Sequence, residues 1–327
     1  MREQILNFLF AKQGEYVSGE ELSKILGVSR AAVWKHINRL KEEGYRIESQ
    51  TRLGHRLENK SGPFNKYELK RNLGTARFGC DIVVRPEVTS TNDLAKELAR
   101  TGAQAGTVIV AEVQQGGRGR RGRHWISPKG GIWMSAILRP TMELKNVANY
   151  TLLAGVAVTH AINQVTGLNV GIKWPNDVLL QGKKVGGILT EVIGEWQAVE
   201  FLVLGIGVNA NLSEASIATQ VDATSLQIAL GKPVDLVVII QEILRQIERL
   251  ENLLLAGGNS AILQEWRRLA VCLNCEVVIK ETGREWMGQS VDIDADGALL
   301  VEDQQGKLVK IYSGDVSLRG AQGKYRF

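Results

Sequence analysis

Apolar residues at Ile5, Leu6, Leu9 and Phe10 recur at helical spacing, and two short helical patterns follow them. The stretch SGEELSKILG opens on Ser18, a good N-cap, and ends on Gly27, a good C-cap. Next, SRAAVWKHINRLKEEG opens on Ser29, lines one face with Val33, Ile37 and Leu40, and ends at Gly44. Two short helices joined by the tight turn GVS make a helix-turn-helix from Gly19 to Asn38. The segments YRIES and HRLEN then flank the basic turn QTRLG, the pattern of a strand hairpin, or wing. The second helix carries Arg30, Lys35, His36, Arg39 and Lys41, with no acid before Glu42. With Ser29 at its start, it suits contact with phosphates and base edges of DNA. A solvated basic helix in an interaction domain is the plainer alternative. The ordered run of helix, turn, helix and wing favours DNA.

Beyond the linker NKSGPFNK, helical and strand patterns mix. STNDLAKELARTG is an N-capped helix, TLLAGVAVTHAINQVTG a largely buried one, and DLVVIIQEILRQIERLENLLLAGG a long amphipathic one. GTVIVAEV, GIWMSAIL, VGIKWPNDVLL, KKVGGILTEVI and VEFLVLGIGVN read as strands. From about residue 270 the segments shorten and Asp-Gly or Gly turns separate them, as in a small antiparallel barrel. The expected organisation is a multidomain α+β chain. It has a winged helix-turn-helix over 1–62, an α/β domain over 66–269 and a β-barrel over 270–327.

The chain has 327 residues, 44% hydrophobic and 23% charged, an ordinary globular balance with room for several domains. Its net charge of +5 permits nucleic-acid binding without demonstrating it. No apolar run is long enough for a bilayer, and the acid-bearing N-terminus lacks a cleavage-site pattern, so no membrane partner is expected. Three cysteines, an odd number, point to a reducing cytoplasm. Cys272 and Cys275 form a C-x-x-C, but two further metal ligands and a thioredoxin-like context are missing, so half-buried thiols beside a strand are expected.

The segment GGRGRRGRHW holds a literal G-x-G-x-x-G in Gly117, Gly119 and Gly122. A dinucleotide fingerprint must open a helix, yet Pro128, Gly130 and Gly131 follow, and Arg118, Arg120, Arg121 and Arg123 crowd the turn. A basic loop closing over an anion fits better; an exposed turn touching nucleic acid would look similar. In KWPND, Pro175 forces a turn, and Asn176 and Asp177 project from a strand end as site residues or as plain turn caps. Lys184 enters a strand beside Gly186 and Gly187, to neutralise a phosphate or to guard an edge, and the glycines allow a ligand close to the backbone. GIGVN is another glycine-bearing strand end.

Taken in order, STN (90–92), QQGGRGRRGRHW (114–125), KWPND, KKVGGIL and GIGVN closely resemble the biotin protein ligase family. The likeness spans roughly 67–269, extends more weakly into the C-terminal barrel, and through the winged helix points to the bifunctional, operon-repressing branch. The resemblance implies a class II synthetase-like catalytic domain, an SH3-like C-terminal barrel and two half-reactions. Biotin and ATP give biotinyl-5′-AMP with Mg²⁺, and a lysine of biotin carboxyl carrier protein then takes the biotinyl group. It implies operator DNA as a partner and a homodimer when biotinyl-AMP is bound. Arg118, Arg120, Lys184 and Asp177 are then the catalytic candidates. Ser90, Thr91, Asn92, Gln114, Gly117, Arg118, Gly119, Arg120, Lys184 and Gly187 are candidates for biotin, with apolar walls near Leu189 and Ile206. Arg118, Arg120, Trp125, Asn176 and Lys184 are candidates for the adenylate. No protein ligand to a metal is assigned. Residues 210–226 are expected to cover the adenylate, and Arg319 is a possible phosphate contact. Three other readings compete. Lys184, Asp177 and the arginine loop disfavour a ligand sensor that has lost catalysis; lipoate or octanoate transferases lack that loop and usually the winged helix; and a monofunctional ligase with an idle DNA-binding domain is the third, excluded by operator binding that tightens with biotin and ATP.

Overall fold

The computed structural model describes residues 1–12, 14–42, 45–57, 64–140, 147–195, 198–220, 222–281, 284–312 and 315–318. Arg319 lies outside them. The chain divides into two compact units, Met1–Arg71 and Asn72–Phe327.

In the first unit, α1 (Arg2–Ala11), α2 (Gly19–Leu26) and α3 (Arg30–Glu42) precede a hairpin of β1 (Ile47–Gln50) and β2 (Gly54–Leu57) and a short α4 (Lys66–Lys70). The Ser18 side chain accepts a bond from the Glu21 amide, and Gly27 closes α2 in the left-handed region at φ 66°. The Ala32 amide likewise donates to Ser29 Oγ at the start of α3. Ile5, Leu9, Leu22, Val33, Ile37 and Leu40 are fully buried together, so the predicted apolar stripes are the core of this unit. Gly54 starts the return strand at φ 107°, and a Cβ there would sit 2.1 Å from the Val17 carbonyl oxygen. Only glycine lets the hairpin close on residue 17.

The second unit is built on a seven-stranded sheet of order β3-β4-β5-β9-β8-β7-β6. Its strands are β3 (Ile82–Val88), β4 (Val108–Gln114), β5 (Ile132–Leu138), β6 (Gly171–Lys173), β7 (Asp177–Leu180), β8 (Lys183–Glu195) and β9 (Ala198–Val208). Only β3 and β4 run parallel; the other pairs are antiparallel. α5 (Thr91–Arg100) packs Ala95 and Ala99 on Ile109, Ile137, Phe201 and Val203 of one sheet face. On the opposite face lies α6 (Val147–Thr166), whose Thr151 bonds Thr190, the partner of Leu204. Two short helices, α7 (Glu214–Ile217) and α8 (Leu226–Leu230), precede α9 (Leu236–Leu255) and α10 (Asn259–Leu269). The continuous burial of α6 over residues 152–159 explains the lack of a polar stripe there: the helix packs on both the sheet and α9.

The chain ends in a five-stranded antiparallel sheet of order β13-β12-β11-β10-β14. It is formed by β10 (Cys275–Glu281), β11 (Arg284–Ile293), β12 (Leu299–Asp303), β13 (Leu308–Ile311) and β14 (Asp315–Leu318). Trp174 fixes it to the larger sheet: its indole N–H donates to the Gly297 carbonyl at 2.9 Å, and its amide donates to Cys272 Sγ. The two cysteines of the C-x-x-C differ in burial. Cys272 is wholly buried and Cys275 partly so.

Candidate functional site

The edges of β4, β5, β8 and β9 on the α5 side enclose a cleft of about 680 Å³. Its polar end is made by the start of α5. Ser90 caps that helix, its Oγ accepting from the Asp93 amide, which leaves its own O–H to donate into the cleft. Gln114, the last residue of β4, accepts on Oε1 from both the Thr91 amide and hydroxyl, at 2.8 and 3.0 Å. Its Nε2 donates to Ser127 Oγ at 2.9 Å. Asn92 is buried; its Nδ2 donates to Glu191 Oε2 and its Oδ1 lies 2.6 Å from Ser135 Oγ. Gly205 makes room for that amide, since a Cβ there would meet Asn92 Oδ1 at 2.2 Å.

The arginine segment bridges β4 and β5 as a small hairpin, with Arg118 paired to His124 and Gln114 to Ser127. Arg118 and Arg120 turn toward the cleft, as does the Gly119 backbone. Arg118 is ion-paired with Asp93 at 2.5 Å, and that guanidinium holds the Asp93 carboxyl below its usual range. Arg120 reaches toward Asn176 Oδ1 at 3.5 Å. Asn176 and Asp177 sit where β6 turns into β7, across the cis peptide bond Trp174–Pro175. Asp177 Oδ1 pairs with Lys184 Nζ at 2.6 Å, so a carboxylate and an ammonium face the loop's guanidinium groups across one cleft.

Two expectations are corrected by these positions, at Gly117 and on α3. Gly187 lines the cleft and pairs with Gly207 across β8 and β9, and the Trp125 indole lies over both. A Cβ on Gly207 would lie 2.7 Å from Trp125 Nε1, so this glycine admits a side chain of the protein rather than a ligand. The indole meets Trp133 edge-on at 6.4 Å, carries Lys184 Nζ 5.0 Å over its ring, and buries an Nε1 without a partner among the described residues. Gly117 does not line the cleft; a Cβ there would strike the Trp125 carbonyl oxygen at 2.4 Å, so it serves the closure of the loop on itself. Leu189 and Ile206 both line the cleft, though strand alternation puts only the Leu189 side chain on its face and turns that of Ile206, paired with Ile188, to the other. Within the stretch expected to cover the adenylate, Glu214–Ile217 form α7, Leu226 starts α8, and Thr219 and Gln220 reach the cleft. Two further lining residues, Lys280 and Val316, come from the C-terminal sheet, which no local motif announced.

The second correction concerns α3. Val33, Ile37 and Leu40 mark its inward face, so the outward face is Ala31, Trp34, Lys35 and Asn38, flanked by Arg30 and Arg39. His36 is turned partly inward, with Nδ1 buried. Trp34, absent from the charge-based reading, is 61% exposed, an apolar surface with nothing of its own unit upon it.

A sheet with a polar pocket, a loop of guanidinium groups and a lysine–aspartate pair is the arrangement of a ligase site for anionic substrates, and the winged helix is the arrangement of a DNA-binding domain. The chain belongs to the biotin protein ligase family. The Biotin/lipoate A/B protein ligase family matches residues 84–209, an HTH domain 1–56, and the biotin protein ligase C-terminal domain 273–319. The chain is 37% identical to the bifunctional ligase/repressor BirA of Bacillus subtilis over 97% of its own length and 98% of that protein's. It is 33% identical to the Escherichia coli protein of the same name, over 94% and 95%. The biotin protein ligase of Aquifex aeolicus, solved with biotin and ATP, superposes with a TM-score of 0.65 at 30% identity. That match covers 73% of this chain and 99% of that one. Among the described residues, no helix is long and apolar enough to cross a membrane.

Proposed function

We propose that this chain condenses biotin with ATP to biotinyl-5′-AMP, passes the biotinyl group to a lysine of a biotin carboxyl carrier protein, and represses transcription when loaded with the adenylate. What carries the reading is the meeting, in one cleft, of a donor–acceptor pocket, the arginine loop and the Lys184–Asp177 pair. In the first half-reaction a carboxylate oxygen of biotin bonds to the α-phosphorus and pyrophosphate leaves. Two anions must approach, so Lys184, Arg118 and Arg120 are assigned to the reacting phosphate and Asp177 to holding Lys184 in place. Mg²⁺ carried by ATP would supply charge compensation for the pyrophosphate; no protein ligand is assigned to it. In the second, the acceptor ε-amine attacks the acyl carbon and AMP leaves; a mixed anhydride is already activated, so positioning and exclusion of water suffice.

Biotin's ureido group both donates and accepts, which suits the free O–H of Ser90 and the oriented side chains of Thr91, Asn92 and Gln114. Leu189 supplies apolar wall. Trp125, held over Gly187 and Gly207, is assigned to the adenine side with Asn176. The outward face of α3 is assigned to operator DNA, in a homodimer formed with the adenylate bound, which places two winged helices on a palindrome. A reducing cytoplasm is the proposed compartment, in keeping with an odd number of cysteines. The test is transfer: labelled biotin should pass to an acceptor lysine of a purified carrier protein, and DNA affinity should rise with biotin and ATP together. Transfer without any change in DNA affinity would leave the ligase and remove the repressor.

A further inference from the structure

One ammonium lies behind the cleft rather than in it. Lys96, one turn into α5, is only 18% exposed by its side chain. It binds Asp93 Oδ1 at 3.0 Å, the same oxygen that Arg118 holds, and Glu191 Oε1 on β8 at 2.9 Å. The other oxygen of Glu191 accepts from Asn92 Nδ2 at 2.6 Å. From Asn92 the contacts continue through Ser135 to Thr91, then to Gln114, to Ser127, and to the Trp125 carbonyl. Both ends of the arginine loop, Arg118 and Trp125, are thereby tied to one polar circuit that also sets the amide of Asn92. Its charges alternate: Arg118, Asp93, Lys96, Glu191. Removing Lys96 leaves Asp93 with Arg118 alone and strips Glu191 of its ion-pair partner, freeing it to swing away and take the orientation of Asn92 with it. Burial works against the Lys96 ammonium, yet the bonds from Glu191 and Asp93 outweigh it and hold its pKa above the ordinary lysine value.

We propose that Lys96 is a positioning residue for biotin recognition: by holding Asp93 on Arg118 and Glu191 on Asn92, it couples closure of the arginine loop to the orientation of the pocket's amide. This rests on the ligase reading for its substrate, but its hold on the loop does not. The test compares K96M, K96R, D93N and E191Q with the wild-type chain. Amide hydrogen exchange without ligand should speed up in peptides covering 115–126 by about 10-fold in K96M and D93N, the scale of losing one charge-assisted bond. E191Q should leave that exchange near wild type, yet raise KM for biotin about 10-fold while kcat falls by less than about 3-fold. K96M should show both defects and K96R should recover most of each, whereas a merely structural role would lower kcat and thermal stability together. Unchanged loop exchange in K96M, or a K96R no better than K96M, would overturn the proposal. A wild-type chain that forms no adenylate from biotin would defeat the ligase reading, and the exchange comparison would still decide whether Lys96 holds the loop.

Discussion

Gly187 and Gly207 face each other across two strands under the same indole, yet they should respond differently to a methyl group. At Gly207 a Cβ would stand 2.7 Å from Trp125 Nε1 and 2.9 Å from Cε2. Those atoms belong to the rigid body of a ring held against Trp133, so the ring must leave its seat. At Gly187 the nearest ring and lysine atoms are 3.4 Å away, an ordinary contact. Overpacking of this kind costs about 1–3 kcal/mol, and losing the edge-on aromatic contact adds about 0.5–1.5 kcal/mol. For a unit of this size each kcal/mol lowers the midpoint of thermal unfolding by roughly 2–4 °C. Gly207→Ala should therefore melt several degrees lower, with raised KM for ATP because Trp125 and the overlying Lys184 lose their positions. Gly187→Ala should melt within about 1–2 °C of wild type. Calorimetry and adenylate-forming kinetics on the two variants decide it. A Gly207→Ala chain indistinguishable from wild type, or a Gly187→Ala chain equally damaged, would refute the seating of Trp125 on these strands.

Lys184→Met should slow adenylate formation about 10²–10³-fold in kcat, the scale of removing one preorganised cationic or oxyanion contact, and Asp177→Asn should slow it less; rapid-quench kinetics separates them. On duplexes selected from a random library, Lys35→Ala should reduce the salt dependence of binding by about one counterion, measured by fluorescence anisotropy. Trp34→Ala should weaken binding without changing that slope. Burial pushes the Cys272 thiol up to about 11, so at pH 8 only about 0.1% of it would be thiolate. Mass spectrometry after alkylation should find the exposed Cys80 modified while Cys272 stays intact until the chain unfolds. Because unfolding returns Cys272 from about 11 to the ordinary value of 9.0, its linkage makes stability fall as pH rises through that interval.

Much of the fold was legible because its signals are local. Ser18 and Gly27 cap α2 as their residue types demand, and Val33, Ile37 and Leu40 repeat at helical spacing. The site motifs were legible as pieces, each on a strand end or turn, and the sheet brings most of them to one cleft. What was not legible depends on partners distant in the chain. The register that sets Gly187 opposite Gly207 belongs to the β8–β9 pairing, and the Trp125 ring arrives from a third strand connection. The contribution of Lys280 depends on docking of the C-terminal sheet through Trp174. One miss did have a signal. Helical phase places His36 beside Val33 and Ile37 and brings Trp34 and Asn38 outward, where counting charges alone selected His36. Asp93 and Lys96 stand three residues apart on α5, a readable helical pair, but their link to Glu191 required the sheet.

The central claim is that the cleft activates biotin. The most direct measurement incubates the purified chain with ATP, Mg²⁺ and either biotin or lipoate and detects the acyl-adenylate by mass spectrometry. Biotinyl-AMP from biotin, with no lipoyl-AMP from lipoate, is the predicted result. Lipoyl-AMP would place the pocket with the lipoate-handling enzymes of the same fold, and no adenylate from either acid would contradict the account and leave a winged-helix sensor.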